Sequence, residues 1–218
     1  MSGRSTADLP PREPRSRFYD GRLYAWTFGR LLAGLHERVA REVPDGASVL
    51  DACCGAGGLA LAVAPRCPRV LGVDLSPRMI AEAERQRAAR RLENVTLRVA
   101  DVAHLGDLAD GSFDAATIVL ALHEMPAAAR VPVLRSLARV ARRVIAADFA
   151  APMPWNLAGI RNRCFELSAG PEHFGGYLDY QRAGGLPALI RAAGLRVAKE
   201  RRLDSGAMVL FTLEAAAS

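Results

Sequence analysis

Lysine is almost missing from this 218-residue chain: of 29 basic residues, Lys199 is the one lysine and the rest are arginine. Aromatic residues make up 6% of the sequence. No apolar run approaches the ~18–20 residues that a helical membrane span needs, so no such span is expected. Met1-Ser2-Gly3-Arg4 lacks the apolar core of a secretory signal. The four cysteines are Cys53, Cys54, Cys67 and Cys164. Two are adjacent and none forms a C-x-x-C pair, which excludes the spacing of a structural zinc site. There is no internal repeat. These absences point to a cytoplasmic protein with reduced thiols.

What is present is ordinary for a globular domain with a core: half the residues are hydrophobic and 24% are charged, with a net charge of +6. Residues 1–22 are basic and polar, with Pro10, Pro11 and Pro14, and are expected to be a disordered tail. Residues 23–218 suit one domain. The arginines are spread along the chain with no base-stacking aromatic motif, so nucleic acid is not the expected partner. The charge could draw in an anionic substrate or a lipid headgroup, or serve solubility alone; the partner expected is a small molecule, hydrophobic or anionic, and the chain is expected to be a monomer or a homodimer.

Apolar residues at helical spacing (Leu31, Leu32, Leu35, Val39) predict a helix within Tyr24–Val43, stopped by Pro44-Asp45-Gly46. Strands are then expected at 48–52, 69–74, 95–100, 113–122 and 143–149. Helices are expected to start near Gly57, at Pro77 behind the N-cap Ser76, and at Pro126. This alternation is the pattern of an α/β, Rossmann-like sheet that is mostly parallel, with helices on both faces. The segment 151–177 is rich in proline and glycine and reads as a lid-like, loop-rich insertion. A helix broken near Gly184-Gly185 follows. The last two strands, at 195–203 and 207–213, are joined by three residues, which demands an antiparallel hairpin. The fold predicted is seven strands with the last antiparallel.

In an open parallel sheet, ligands sit beyond the carboxyl ends of the strands. Three of those ends carry an acid: Asp51, Asp74 and Asp101. Asp51 feeds the loop Cys53-Cys54-Gly55-Ala56-Gly57, whose glycines permit positive φ and close approach of backbone to ligand. Gly55-x-Gly57-x-x-Ala60 also fits a dinucleotide fingerprint, which keeps an NAD(P)-dependent oxidoreductase as an alternative. Asp51 decides between the two, because it would repel a pyrophosphate and attract the ammonium of a sulfonium amino acid. A noncatalytic cofactor-binding module is a third possibility.

With these residues in place, the chain resembles the class I S-adenosylmethionine-dependent methyltransferases of the ubiquinone/menaquinone-biosynthesis-like group. The resemblance rests on Asp51 to Gly57, on Leu71-Gly72-Val73-Asp74-Leu75-Ser76-Pro77-Arg78-Met79, on Ala100-Asp101-Val102, and on Phe113 to His123, and it covers about 47–149. It departs from the family loop at Cys53, which stands where the family has its first glycine. The resemblance implies S-adenosyl-L-methionine as cofactor. It implies Asp51, Cys53, Gly55 and Gly57 near the methionine portion, Asp74 on the ribose with Leu75 and Met79 in the same motif, Asp101 and Val102 at the adenine, and Leu120 beside the sulfonium. Tyr24, or Tyr19, would close over the cofactor. Asp74 is expected to serve the ligand and not the core.

Methyl transfer is an in-line displacement that depends on positioning; a base is needed only if the acceptor must lose a proton. His123, just past the fourth strand, and His173, in the insertion, are the catalytic candidates, with His123 expected to titrate near neutrality. Tyr177 is a second acceptor-side candidate. His36 and His104 read as structural or surface groups. Cys53-Cys54 reads as a packing pair. No metal site is expected, because no Asp-Asn pair with a further Asp stands at ligand spacing.

Overall fold

In a computed structural model, the described residues are 29–215. The expected tail at 1–22, Tyr19 and Tyr24 lie outside them. Helix α1 (Gly29–Ala40) precedes β1 (Ser48–Ala52), α2 (Gly58–Val63), β2 (Arg69–Asp74), α3 (Pro77–Ala89), β3 (Val95–Val99), β4 (Phe113–Val119), α4 (Ala127–Val140) and β5 (Ala141–Phe149). Then come α5 (Leu157–Ser168), α6 (Pro171–Arg182), α7 (Gly185–Ala193), β6 (Leu195–Leu203) and β7 (Met208–Ala215).

The strands form one sheet in the order β3-β2-β1-β4-β5-β7-β6. Pairings from β3 through β5 are parallel, and β7 runs antiparallel between β5 and β6. The expected architecture is therefore correct. The crossovers through α2 and α3 step toward β3, whereas the crossover through α4 steps the other way. Since such crossovers are right-handed, they place their helices on opposite faces. The strand order reverses between β1 and β4, and the carboxyl ends there are the natural ligand crevice.

The central strands are buried along their length. Val49, Leu50, Ala115, Ala116, Ile145 and Ala146 have no exposed surface, as continuous apolar runs in a sheet covered on both faces require. The edge strand β6 is exposed and carries Arg196, Lys199, Arg201 and Arg202, charges that deter pairing with another sheet.

Two expectations need correction. The fourth strand stops at Val119, not Leu122, because Leu120 takes φ +51° and leaves the ladder. The segment 151–177 is not loop-rich but mostly helical. Its prolines and glycines are punctuation: Asn156 caps α5 by accepting from the Gly159 N–H at 2.9 Å, and Pro171 stands in the first turn of α6 behind Gly170.

Helix α6 is fastened to α4 by Arg130, which is 1% exposed. Its guanidinium pairs with Asp179 at 2.7 Å and donates to the carbonyls of Met125 at 3.0 Å and Gly176 at 3.2 Å. Arg130→Met fills the space but strands two buried carbonyls. It should lower the unfolding free energy by about 2–4 kcal/mol in urea titrations, whereas an unchanged midpoint would show that the clamp contributes nothing.

Candidate active site

β1 delivers Asp51 to the base of the glycine loop, where the side chain is 2% exposed. Its Oδ1 accepts from the Thr117 hydroxyl on β4 at 2.7 Å, and its Oδ2 accepts from the Ala60 N–H in the first turn of α2 at 3.0 Å. One carboxylate thus pins two strands and a helix at the point where the strand order reverses. Burial raises its pKa from 3.8 to about 7; the charge of Asp74 adds to the rise and the two hydrogen bonds oppose it.

Cys53, Gly55 and Gly57 adopt φ of +56°, +53° and +82°. The family's glycine geometry therefore survives at Cys53, held by a residue for which the left-handed region costs about 1–2 kcal/mol. Cys54 packs against Gly72 of β2, where a Cβ would fall 3.1 Å from its sulfur. Burial, then the carboxylates of Asp74, Glu124, Asp51 and Asp101, push the Cys53 thiol well up; burial does the same at Cys54. Both stay neutral thiols, in keeping with packing. The same four acids make the space around the loop electronegative, which fits a ligand with a cationic end.

Asp74, at the end of β2, accepts from the Gly55 N–H at 2.8 Å and the Ser76 N–H at 2.8 Å. It therefore ties the glycine loop to the start of α3, contrary to the expectation that it serves a ligand alone. Burial raises its pKa and these two bonds work against the rise. Leu75 next to it is 46% exposed, an apolar wall open to a ligand, whereas Met79 and Val102 are 3% exposed and turned into the core. Any contact by Met79 or Val102 would therefore come from the floor of the crevice or from backbone. Asp101 accepts from the Ala103 N–H at 2.9 Å and faces His104 Nδ1 at 3.1 Å. Leu120 donates its N–H to the Ala147 carbonyl at 2.8 Å. His36, as expected, is structural: its ring lies where a Cβ on Gly58 would be, and burial lowers its pKa to about 4. A depression lined by Pro44, Asp45, Asp114, Arg142 and Glu214 lies at the opposite, amino-terminal edge of the sheet and touches none of these groups.

The two catalytic candidates are brought together. His123 is 2% exposed, and its Nδ1 meets Asp148 Oδ1 at 2.6 Å. Asp148, at the end of β5, also accepts from the N–H groups of Leu122 at 3.1 Å and His123 at 3.3 Å. His123 Nε2 faces Glu124 and Glu166, both at 3.7 Å. His173 Nε2 lies 3.0 Å from Glu166 and 3.6 Å from Glu124. Burial alone would keep His123 neutral, but the carboxylates of Asp148, Glu124 and Glu166 outweigh it and raise its pKa to about 9. The expected titration near neutrality is thus overturned: at pH 7 this ring is a cation in the ligand-free protein. The bond to Glu166, followed by neighbouring carboxylate charge, likewise raises His173 against partial burial.

Around the pair stand Phe149, 4.7 Å from the His123 ring, and Tyr180 at 6.2 Å. Tyr177 is 1% exposed and stacks on Phe174, so it builds the core of this wall and not its surface. Asn162 Nδ2, one turn before Glu166 on α5, is buried with no acceptor among the described residues. Sequence reasoning missed Asp148 and Glu166. Asp148 carried a signal, being a fourth acid at a strand end inside an apolar run; Glu166 carried none.

A family model described as "Methyltransferase domain" matches residues 49–144. The chain is 30% identical to a demethylmenaquinone methyltransferase of Beutenbergia cavernae, over 95% of this chain and 92% of that one. It is 31% identical to a ubiquinone biosynthesis O-methyltransferase of Xanthomonas axonopodis, over 72% and 66%. Its fold matches an O-methyltransferase family protein from Burkholderia thailandensis with a TM-score of 0.70, at 18% identity over 90% of this chain and 60% of that one. The family model and both relatives are named as methyltransferases, which leaves the dinucleotide alternative for the loop without support. No helix among the described residues is long and apolar enough to cross a membrane.

The strain at Cys53 can be read directly. Cys53→Gly should change stability by no more than about 1 kcal/mol, while Cys53→Val, β-branched at a positive φ, should cost about 2 kcal/mol or more. Urea denaturation of both variants checks this, and equal losses would refute the loop geometry.

Proposed function

Because this chain belongs to the class I S-adenosylmethionine-dependent methyltransferases, and moves a methyl group from that cofactor to a small-molecule acceptor, we propose that the acceptor is a flat, apolar ring bearing a hydroxyl. It sits between the glycine loop and helices α5 and α6. Its reacting oxygen faces His123 and His173. The observation that carries this is the pair of imidazoles, 6.0 Å apart, beside partly buried Phe174 and next to the acid-lined loop, with Phe149 and Tyr180 packed behind them. The relatives' names, for quinone-pathway methyltransferases, favour the same acceptor class. Exposed Trp155, Leu157 and Ile160, at 82%, 84% and 46%, offer such a ring an apolar approach along α5.

When bound, the cofactor supplies a methyl group already activated by positive sulfur. The rest is positioning by the chain. Gly55 and Gly57 let backbone pass close to the methionine end. Asp51 and Asp74 set a negative field there, although both of Asp51's oxygens are held by protein donors, so its charge acts from behind the loop. Asp74 and Asp101 reach the ribose and adenine, and Leu75 covers the ring. His123, held as a cation by Asp148, stabilises an ionised acceptor oxygen more readily than it takes a proton.

Incubation with S-adenosyl-[methyl-³H]methionine and hydroxylated naphthoquinones should label the organic extract. His173→Ala should lower kcat/KM at least 10-fold with an unchanged dissociation constant for S-adenosylhomocysteine. Label confined to RNA, or an unaffected His173→Ala, would defeat the assignment.

Asp51 gives a second check. With a folded-state pKa near 7 against 3.8 for a free side chain, its contribution to stability is complete below the unfolded value and lost as pH rises through about 7. Asn cannot ionise, and its amide can serve both Ala60 and Thr117. Asp51→Asn should therefore melt at or above the wild-type temperature at pH 8, yet bind S-adenosylhomocysteine about 10-fold more weakly, about 1.4 kcal/mol. Unchanged affinity would remove Asp51 from the cofactor site.

A further inference from the structure

We propose that His123, Glu166 and His173 bind a divalent transition-metal ion beside the cofactor loop, with Glu124 at its rim. One donor atom from each of the three lies within 4.8 Å of the others. The inference deepens the acceptor assignment above and rests on it for the ion's role, though not for its binding.

Three observations support an ion over a simple ion-pair network. The first is spacing. His123 Nε2 is 3.7 Å from both Glu124 and Glu166, too far for hydrogen bonds. Ligands at 2.0–2.2 Å from a tetrahedral ion stand about 3.4 Å from one another. The nitrogen-to-oxygen separations here, from 3.0 Å for His173 and Glu166 to 3.7 Å, bracket that value.

The second is orientation. Asp148 holds the other nitrogen of His123 at 2.6 Å and is itself held by two backbone N–H groups. A carboxylate behind an imidazole keeps a proton on Nδ1, so the nitrogen that an ion would take, displacing its proton, is Nε2, which faces Glu124 and Glu166. This is the outer support that metal-bound histidines use.

The third is the placing of Glu166. It is 1% exposed, and its Oε2 lies 3.0 Å from His173 Nε2 and 3.7 Å from His123 Nε2, so one buried carboxylate faces both imidazoles. Three carboxylates (Asp148, Glu124, Glu166) converge on two imidazoles, Glu124 from the more open side. A 2+ ion on the rings would balance that charge in place of the protons they hold without it.

Mixed nitrogen and carboxylate donors select zinc, iron(II) or cobalt(II) over magnesium or calcium. Two histidines and one glutamate leave a coordination position open, as in catalytic and not structural sites. An acceptor oxygen that took that position would be held and polarised by the ion. The absence of an Asp-Asn-Asp pattern in the sequence speaks to one kind of metal site and not to this one.

The test uses untagged, full-length protein, stripped with chelator and titrated with Co²⁺. One equivalent should bind with visible ligand-field absorption. His173→Ala and Glu166→Gln should each weaken binding at least 10-fold while circular dichroism stays that of the folded protein. No binding, or equal binding by wild type and both variants, overturns the proposal. S-adenosylhomocysteine titration of the stripped protein reads the cofactor site separately. Protein that binds it but not Co²⁺ defeats the metal site alone. Protein that binds Co²⁺ yet labels no hydroxylated ring defeats the acceptor assignment and sustains the metal site.

Discussion

A single carboxylate that water cannot reach organises this protein. Asp51 takes the hydroxyl of Thr117 from β4 and the N–H of Ala60 from α2, and so fixes the crevice where strand order reverses. Everything on the cofactor side is placed relative to it: the positive-φ loop from Cys53 to Gly57, and Asp74, which clasps that loop through Gly55. Burial makes the Asp51 charge costly when no cation is near, which is why its pKa stands at about 7. A cationic ligand end lowers that cost. The same residue therefore serves the fold and, as we propose, biases the crevice toward a sulfonium amino acid and away from a pyrophosphate.

The paired imidazoles are placed by a second buried carboxylate on the same plan. Asp148, at the end of β5, gathers the backbone of Leu122 and His123 and the ring of His123. Gly176 lets α6 approach the His123 carbonyl, where a Cβ would come within 3.3 Å, and Arg130 locks the approach. His173 and Glu166 are thereby carried on α6 and α5 to a histidine in the turn after β4. The geometry of this cluster depends on the docking of α5 and α6 as much as on the strand ends.

The sheet was legible in the sequence because its signals are local. Apolar runs of five to seven residues, Ser76-Pro77 at a helix start and a three-residue link before the last strand each have one physical reading. The three acids at strand ends were legible for the same reason. The lid was not: Pro152, Pro154, Gly170 and Pro171 suggest loop when counted by composition, and only capping geometry shows that they bound two helices. Burial was equally hidden. Met79 and Tyr177 look like ligand contacts by position, yet both face the core. The electrostatics of His123 could not be read either, since Asp148 and Glu166 reach it from 25 and 43 positions away along the chain.

The central claim is that the buried charge of Asp51 is recruited by the cationic end of the cofactor. Calorimetric titration of the wild-type protein with S-adenosylhomocysteine from pH 6 to pH 7.5, in buffers of different ionisation enthalpy, tests it most directly. Binding should release close to one proton near pH 6, and the dissociation constant should fall as pH rises, by nearly 10-fold per unit well below pH 7. A dissociation constant that does not change with pH, with no proton released, would contradict it.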